Sequence, residues 1–303
     1  MLLGLGWNRL AATLQEAAPL LLTGLAAAIA FRAGMLNIGG HGQYLLGAVT
    51  LIAFTTSFRL PGPGLIVLPL ALFAAALVGA AWALLAFALD RWRGVPVVLS
   101  TILLNFVAVG LVAWLVEHPL RDPLTSAPQT ALLGEDLRLG VLLAGTRLHV
   151  GVVLAACAVP LVWLLQRRTA LGFELDAVGL NADAAAANGI PVARRQALAL
   201  ALSGGLAAVA GGLQQAGVTW FMSNASPSYG FAGLAVALLG RLHPVGIAGA
   251  ALFFGALDTA ARVAERRHGI PHDVADVIKG VAVLGALVVA AWASRRRLRA
   301  ATP

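Results

Sequence analysis

Charged side chains are scarce in this chain. They make up 11% of its 303 residues, while 60% of the residues are hydrophobic and the mean hydropathy is +0.87. Soluble domains carry about 25% charged residues, so the composition excludes an ordinary soluble fold. It predicts an all-α polytopic integral membrane protein, one transmembrane domain over residues 1–303. About nine or ten spans of ~20 residues fit that length, and about 8–10 transmembrane helices, some discontinuous, is the expected count. Lysine is nearly absent, with Lys279 the single example. No G-x-x-x-x-G-K-[ST] run exists, so this chain cannot carry a P-loop ATP site. Cysteine is represented by Cys157 alone, which excludes an intrachain disulfide and suits a small packing residue. Acids within apolar runs are equally rare. Asp258 is the one acid well inside a predicted span, and Arg262, four residues on, is its expected partner. No nucleophile–base–acid set and no paired carboxylates appear. His268 and His272 are separated by Gly269 and Pro271, which break the helix that would align them on a metal. An integral-membrane enzyme is therefore improbable, and no metal is expected.

The formal net charge is +8, with 21 basic against 13 acidic residues. In a soluble protein such a balance would suggest nucleic acid. Here the arginines cluster between apolar runs, so the positive-inside rule accounts for them and no nucleic-acid partner is expected. The partner of the apolar surface is membrane lipid. The first apolar run leads directly into others, which does not read as a cleavable signal peptide.

The chain is organised around Phe31–Ala48, FRAGMLNIGGHGQYLLGA. It lies within apolar sequence yet carries Arg32, Asn37, His41 and Gln43, with glycines at 34, 39, 40, 42 and 47. Glycines let a helix break and let backbones approach. Unwound backbone at membrane depth survives only when buried in protein or lining a watery cavity, and polar groups there need a partner or a task. A discontinuous helix at the centre of a transporter is one reading. A short loop between ordinary spans is the other.

Along the chain, Met1–Gln15 reads as an interfacial segment and Ala17–Phe31 as a short first span. Leu36–Phe58 holds the glycine-rich stretch and the second span, and 59–64 is a Pro/Gly turn. Leu65–Leu89 ends at Asp90-Arg-Trp-Arg93, an interface anchor. Val95–Val116 carries Ser100, Thr101 and Asn105 on roughly one face. There Asn105 serves either as interhelical glue or as a solute contact. Glu117–Arg147, with Pro119, Pro123 and Pro128, is the expected external loop. His149–Leu165 is a span closed by Arg167 and Arg168. In Thr169–Arg195, Asn181 suits an N-cap, Ala184–Ala187 a helix of about two turns, and Gly189 with Pro191 its end. Such a helix cannot stand alone in water and must pack against something. Gln196–Gly217 is a span dense in small residues. A turn at 224–230 leads to Phe231–Gly240, too short to cross. Val245–Ala261 and Asp276–Ala293 are the remaining spans, and Arg295–Arg299 anchors the tail inside. The glycine-rich break near Asn37 and the short helix after Tyr229 faintly suggest the inverted repeat common in transporters.

Four of these segments carry a resemblance. Gly34, Asn37, Ile38, Gly39, Gly42 and Gln43 resemble the G-x-x-N-I-G-x-E-G-Q signature of the ABC-importer permeases for branched-chain amino acids, simple sugars and nucleosides, with His41 in place of the acid. Thr101–Asn105 is similar to the T-x-x-L-N segment of the nucleoside-type branch. Tyr229–Gly246 is similar to that branch's Y-G-F-x-x-I-A-V-A-L-L-G-R-x-x-P-x-G segment. Thr169–Arg195 resembles the family's cytoplasmic coupling loop, L-R-A-V-G-x-N-x-x-A-A-x-x-x-G-I, with Asp176 replacing its Arg. The resemblance implies a permease subunit of a bacterial ABC importer in the plasma (inner) membrane. Its cargo would be a nucleoside or a related simple sugar, with Asn37, Gly39, Gly42, Gln43 and Asn105 along the transport path. Coupling to the ATPase would use Gly179, Asn181, Ala184, Ala185 and Gly189. The implied partners are ABC ATPase subunits, which hold the Mg-ATP while this chain carries no cofactor. They also include a second permease subunit, identical or different, and an extracytoplasmic substrate-binding protein. The rival reading is an ion-coupled secondary transporter of a small polar solute, with Asp258 as its key residue.

Overall fold

A computed structural model describes residues 2–57, 63–223 and 228–268, and beyond them 274, 277–281, 284–285 and 288. It contains α1 (Leu2–Arg32), α2 (Gly40–Thr56), α3 (Gly64–Arg93), α4 (Val97–Glu117), α5 (Val150–Arg168), α6 (Ala170–Leu180), α7 (Ala182–Ala187), α8 (Val192–Gln214), α9 (Tyr229–Leu239) and α10 (Pro244–His268). Six segments of the described residues, within α1, α3, α4, α5, α8 with its π-helical extension, and α10, are long and apolar enough to cross a membrane. The all-α, multi-span architecture is as expected, with six membrane-length segments among the described residues against the 8–10 helices expected, and the shorter apolar helices α2 and α9 beside them. The expected span Asp276–Ala293 and the basic tail lie largely outside the described residues, as do 58–62 of the first turn and 224–227 of the second.

Proline and glycine set the helix limits as their backbone chemistry requires. Pro63, Pro96 and Pro191 immediately precede α3, α4 and α8, and Pro244 opens α10. Proline lacks an N–H that a first turn cannot pair anyway. Gly94 closes α3 in the left-handed region at φ 67°.

The helices form an inner group and an outer shell. The membrane-length window of α1 is 89% buried, against 22% for those of α3 and α5. α1, α2 and α8 meet one another, and α3, α9 and α10 close around them. Contact at the centre is backbone to backbone. A Cβ added to Gly47 would stand 2.1 Å from the Ala208 carbonyl oxygen, and one on Gly211 would stand 2.0 Å from that of Tyr44. Gly79 and Gly204 face each other at 2.3 Å in the same sense. In lipid the gain from packing comes from such close approach, because apolar surface gains nothing by leaving hydrocarbon. The outer shell presents large apolar side chains outward, among them Phe73, Phe106 and Leu161.

Two local expectations require correction, and a third gains partners. The interfacial segment and the first span are one helix, α1, of 31 residues. No breaker separates Gln15 from Ala17, and α10 packs along this part, with Gly255 of α10 lying against Thr13 and Ala17. The coupling-loop region contains two helices, since the 11-residue α6 precedes the short α7. Thr169 caps α6 by accepting from the Gly172 amide at 3.0 Å, a helix that the residues 170–180 did not advertise because Gly172 and Gly179 depress its propensity. Asp258 accepts from Lys279 at 2.7 Å, while Arg262 pairs with Glu16. Each also has a partner distant in the chain, while Asp258 still contributes to the electrostatic surroundings of Arg262.

The 118–147 segment has no α-helix. It holds one 3₁₀ turn (Glu135–Leu137) and isolated β-bridges, and it packs on the C-terminal end of α8: the Leu133 amide donates to the Trp220 carbonyl at 2.7 Å and that of Leu139 to Ala216 at 2.9 Å. α6 and α7 precede α8 and sit at its other end. The expected external loop and the expected coupling loop thus occupy opposite ends of the bundle. Gly47→Leu, which must force α2 from α8, should abolish folded protein or cost about 3 kcal/mol or more. Gly249→Ala, where an added Cβ meets nothing within 4 Å, should not. Thermal unfolding of the two variants in detergent checks this.

Candidate functional site

The site begins where α1 stops. Past Arg32 the chain reverses through Gly34 at φ 74°, with the Ala30 carbonyl accepting from the amides of both Ala33 and Met35 at 3.0 Å. Residues 35–38 have no regular structure, and α2 starts at Gly40. Ala33, Met35, Asn37 and Gly39 are nonetheless buried. This is irregular backbone inside the protein, between two helices.

Asn37 and Gln43 exchange both amide bonds: Asn37 Nδ2 donates to Gln43 Oε1 at 3.0 Å, and Gln43 Nε2 donates to Asn37 Oδ1 at 3.1 Å. Asn37 Oδ1 also accepts from the Gly39 amide at 3.0 Å, and its Nδ2 reaches Ser203 Oγ on α8 at 3.0 Å. From α4, Asn105 Oδ1 accepts the Gly42 amide at 2.8 Å and Nδ2 donates to the Ile38 carbonyl at 3.0 Å. Thr101 Oγ1 accepts the Ile38 amide at 3.2 Å. Asn105 and Thr101 therefore replace the helical partners that residues 38–42 lack. Of the two roles open to Asn105, the geometry shows interhelical bonding. Gly39 and Gly42 are spacers in the same cluster. A Cβ on Gly39 would stand 3.0 Å from Gln43 Nε2, and one on Gly42 would stand 2.9 Å from Ala108.

All five expected path residues thus converge, and each polar side chain among them is bonded within the cluster. Ser203 belongs to the cluster and was missed, because a serine in a small-residue helix carries no signal of its partner. Ser100, singled out with Thr101, is buried with no hydrogen-bond partner for its hydroxyl.

A second set of groups joins α2 to α9. The start of α9 lies directly on the start of α2, where a Cβ on Gly230 would stand 2.2 Å from His41 Cα. The His41 ring stacks on Phe231 at 4.7 Å between centroids, and Tyr44 lies 5.9 Å from Tyr229. His41 Nδ1 and the Tyr44 hydroxyl are buried without a partner. Tyr229 donates to Glu16 Oε2 at 2.6 Å, and Thr23 Oγ1 donates to the Tyr229 carbonyl at 3.1 Å. Tyr229 also lines a cavity of about 670 Å³ with Arg9, Gln15, Glu16, Gln214 and Arg262, at the end of the bundle opposite α6 and α7. Phe106 projects outward from α4 at 70% exposure, and Phe221 is half-buried near the external segment. Tyr229 is at the site.

At the far end, Asn181 Oδ1 accepts the Ala184 amide at 2.9 Å, the expected cap of α7, and Gly189 takes the left-handed region at φ 80°. Ala184, Ala186 and Ala187 are exposed, whereas Ala185 is 4% exposed and turned into the chain's own packing. Gly179 is also turned inward, since a Cβ there would stand 1.9 Å from the Arg32 carbonyl oxygen. Asp176 is ion-paired with Arg32 of α1, and Glu174 with Arg195 of α8.

Membrane-length helices packed around a buried segment of irregular backbone, its groups paired by neutral side chains, define a polytopic membrane protein. Comparison with known proteins gives the family. The sequence matches the "branched-chain amino acid transport system / permease component" family over residues 9–289, and the chain belongs to it. It is 32% identical over 279 residues to the guanosine ABC transporter permease NupP of Bacillus subtilis (strain 168), covering 90% of this chain and 79% of that one. It is 33% identical over 285 residues to the glucose ABC transporter permease TsgB13 of Haloferax volcanii, covering 89% and 74%. The nucleoside ABC transporter permease NupB of Lactococcus lactis subsp. cremoris is 32% identical over 276 residues, covering 88% and 75%. Among solved structures, a metal-chelate type ABC transporter in an inward-facing conformation shares the fold, with a TM-score of 0.53 and 20% identity over 93% of this chain and 85% of that one. The protein is a multi-pass permease subunit of an ABC transporter.

Asn105→Leu removes both surrogate partners and leaves the Gly42 amide and the Ile38 carbonyl unpaired. Each such group costs about 1–3 kcal/mol. The variant should lose thermal stability in detergent by roughly that sum, while Phe106→Leu, one residue on, should unfold as the parent does.

Proposed function

We propose that this subunit forms the translocation path for nucleosides in a bacterial importer. Similarity to the guanosine and nucleoside permeases over about nine-tenths of the chain carries the reading. The site's chemistry supports it. The side chains that hold the interrupted helix are neutral amides and hydroxyls, each able to donate and to accept, and Tyr44, Tyr229, His41 and Phe231 supply flat faces beside them. Such a site suits a ribose and an uncharged base, and it offers no charged group within the Asn37 cluster to an amino-acid carboxylate or ammonium. Solute would pass from the Tyr229-lined cavity to the seam between α2 and α9 and then past the Asn37–Gln43 pair. The observed bonding would be its closed arrangement. The similarity to a glucose permease supports a second reading, a simple sugar, because hydroxyl recognition by amides serves either solute.

Transport would be driven by ATP hydrolysis on separate ATPase subunits that bind Mg-ATP. The exposed face of α7, Ala184, Ala186 and Ala187, would dock in a groove on the ATPase, with Asn181 and Gly189 fixing the helix ends. A second permease subunit, identical or different, and an extracytoplasmic binding protein would complete the importer. Ala185 and Gly179 would act by holding α7 and α6 to the rest of the chain. The pairing of Asp258 with Lys279 at 2.7 Å counts against the ion-coupled alternative.

Proteoliposomes containing the subunit, its ATPase and its binding protein should take up radiolabelled guanosine on addition of ATP, without competition from leucine. Uptake of glucose but not guanosine would transfer the assignment to sugars. Ala184→Trp should reduce the ATPase recovered with the purified permease at least fivefold while leaving its membrane insertion unchanged.

A further inference from the structure

α6 is joined to two different parts of the polar cluster at once. On one side, Arg32 Nε donates to Asp176 Oδ1 at 2.7 Å, and its Nη2 reaches Asp176 Oδ2, a two-point contact that fixes orientation as well as distance. Beside this pair the backbones touch. A Cβ on Gly34 would stand 3.3 Å from Gly179 Cα, and one on Gly179 would stand 2.9 Å from the Gly34 amide nitrogen. Gly34 lies three residues before Asn37, and the intervening chain is tied by the Met35 amide to Ala30 and by the Asn37 amide to Met35 at 2.9 Å. On the other side, Glu174 holds Arg195 in the first turn of α8, the helix that carries Ser203, a partner of Asn37. No free-swinging segment separates α6 from the interrupted helix.

We propose that the Arg32–Asp176 pair is the strut through which displacement of α6 and α7 reaches the break between α1 and α2. Arg32 and Asp176 are then positioning residues for translocation. The proposal rests on the coupling role assigned above to α7. The pair is partly open to solvent, with side-chain exposures of 18% and 31%, so it adds little to stability. Its contribution is directional. It converts a rigid-body shift of α6 into a shift of Gly34, where the left-handed backbone already marks a reversal. The Gly179 contact transmits a push toward α1 but no pull, and the ion pair transmits both.

The test reads motion at the break directly and needs no solute. Leu36→Cys places a thiol at the exposed position between Gly34 and Asn37, in a Cys157→Ser background. Maleimide labelling of the importer, assembled with its ATPase, is compared with and without ATP trapped by vanadate. The parent should show an ATP-dependent change in labelling rate. Arg32→Ala and Asp176→Ala should reduce that change at least fivefold while recovering the ATPase in parental yield, and the exchanged pair Arg32→Asp with Asp176→Arg should restore most of it. Single variants that keep the parental change would overturn the proposal. So would an exchanged pair that recovers nothing, or a parent whose labelling ignores ATP. A parent that fails to retain the ATPase would instead defeat the coupling role of α7, a distinct result read before any labelling.

Discussion

The constraint that organises this protein is the hydrogen-bonding demand of unwound backbone within a membrane-embedded bundle. Between Arg32 and Gly40 the chain leaves the helix, and where Asn37 and Gly39 are buried no water is available to pair the amides and carbonyls thus released. Asn37 answers this from within the segment, bonding the Gly39 amide and Gln43. Thr101 and Asn105 answer it from α4, taking up the amides of Ile38 and Gly42 and the Ile38 carbonyl. The glycines at 39 and 42 follow from the same demand, since the polar groups that supply the bonds occupy the space a side chain would need.

The rest of the inner bundle serves to deliver these partners. α8 runs against α2 through Gly47, Ala208 and Gly211, and that approach sets Ser203 beside Asn37. α9 meets α2 at Gly230, which places Phe231 on His41 and Tyr229 near Tyr44. The inner helices are therefore in close contact through glycine and alanine, with Tyr44, Leu51 and Ile52 of α2 buried among them. The ionic contacts lie at the two ends. Glu16, Tyr229 and Arg262 gather at one end, and Arg32, Asp176, Glu174 and Arg195 at the other.

His41 and Asp176 stand where the signatures carry an acid and an arginine. Both have specific surroundings. His41 stacks on Phe231 and keeps one buried nitrogen without a partner. Asp176 pairs within the chain, to Arg32. A motif comparison alone treats each as a loss, of a carboxylate in one case and of a cation in the other. The structure gives each residue a contact that the residue usual in the family would not make in the same way.

Much was legible from the sequence because membrane insertion depends on local composition. Runs of apolar residues, Pro and Gly limits, and polar residues at membrane depth are all properties of short segments, and they located α3, α4, α5, α8, α9 and the break at Asn37. The cap at Asn181 and the stop at Gly189 are equally local. Other features depend on which segments meet. The junction of residues 2–15 with α1, the helix α6, the pairing of Asp258 with Lys279 and of Arg262 with Glu16, and the inward turn of Ala185 are settled by neighbours distant in the chain. So is the use of Asn105 to bond the α1–α2 join. A single asparagine at membrane depth announces that it needs a partner, and only the packing of α4 against the glycines of α2 decides that the partner is backbone. The sequence by itself determined the class of protein and the positions of its polar groups, because hydrophobicity and backbone chemistry act locally. The tertiary structure decided what those groups do, because a hydrogen bond or an ion pair belongs to two residues at once.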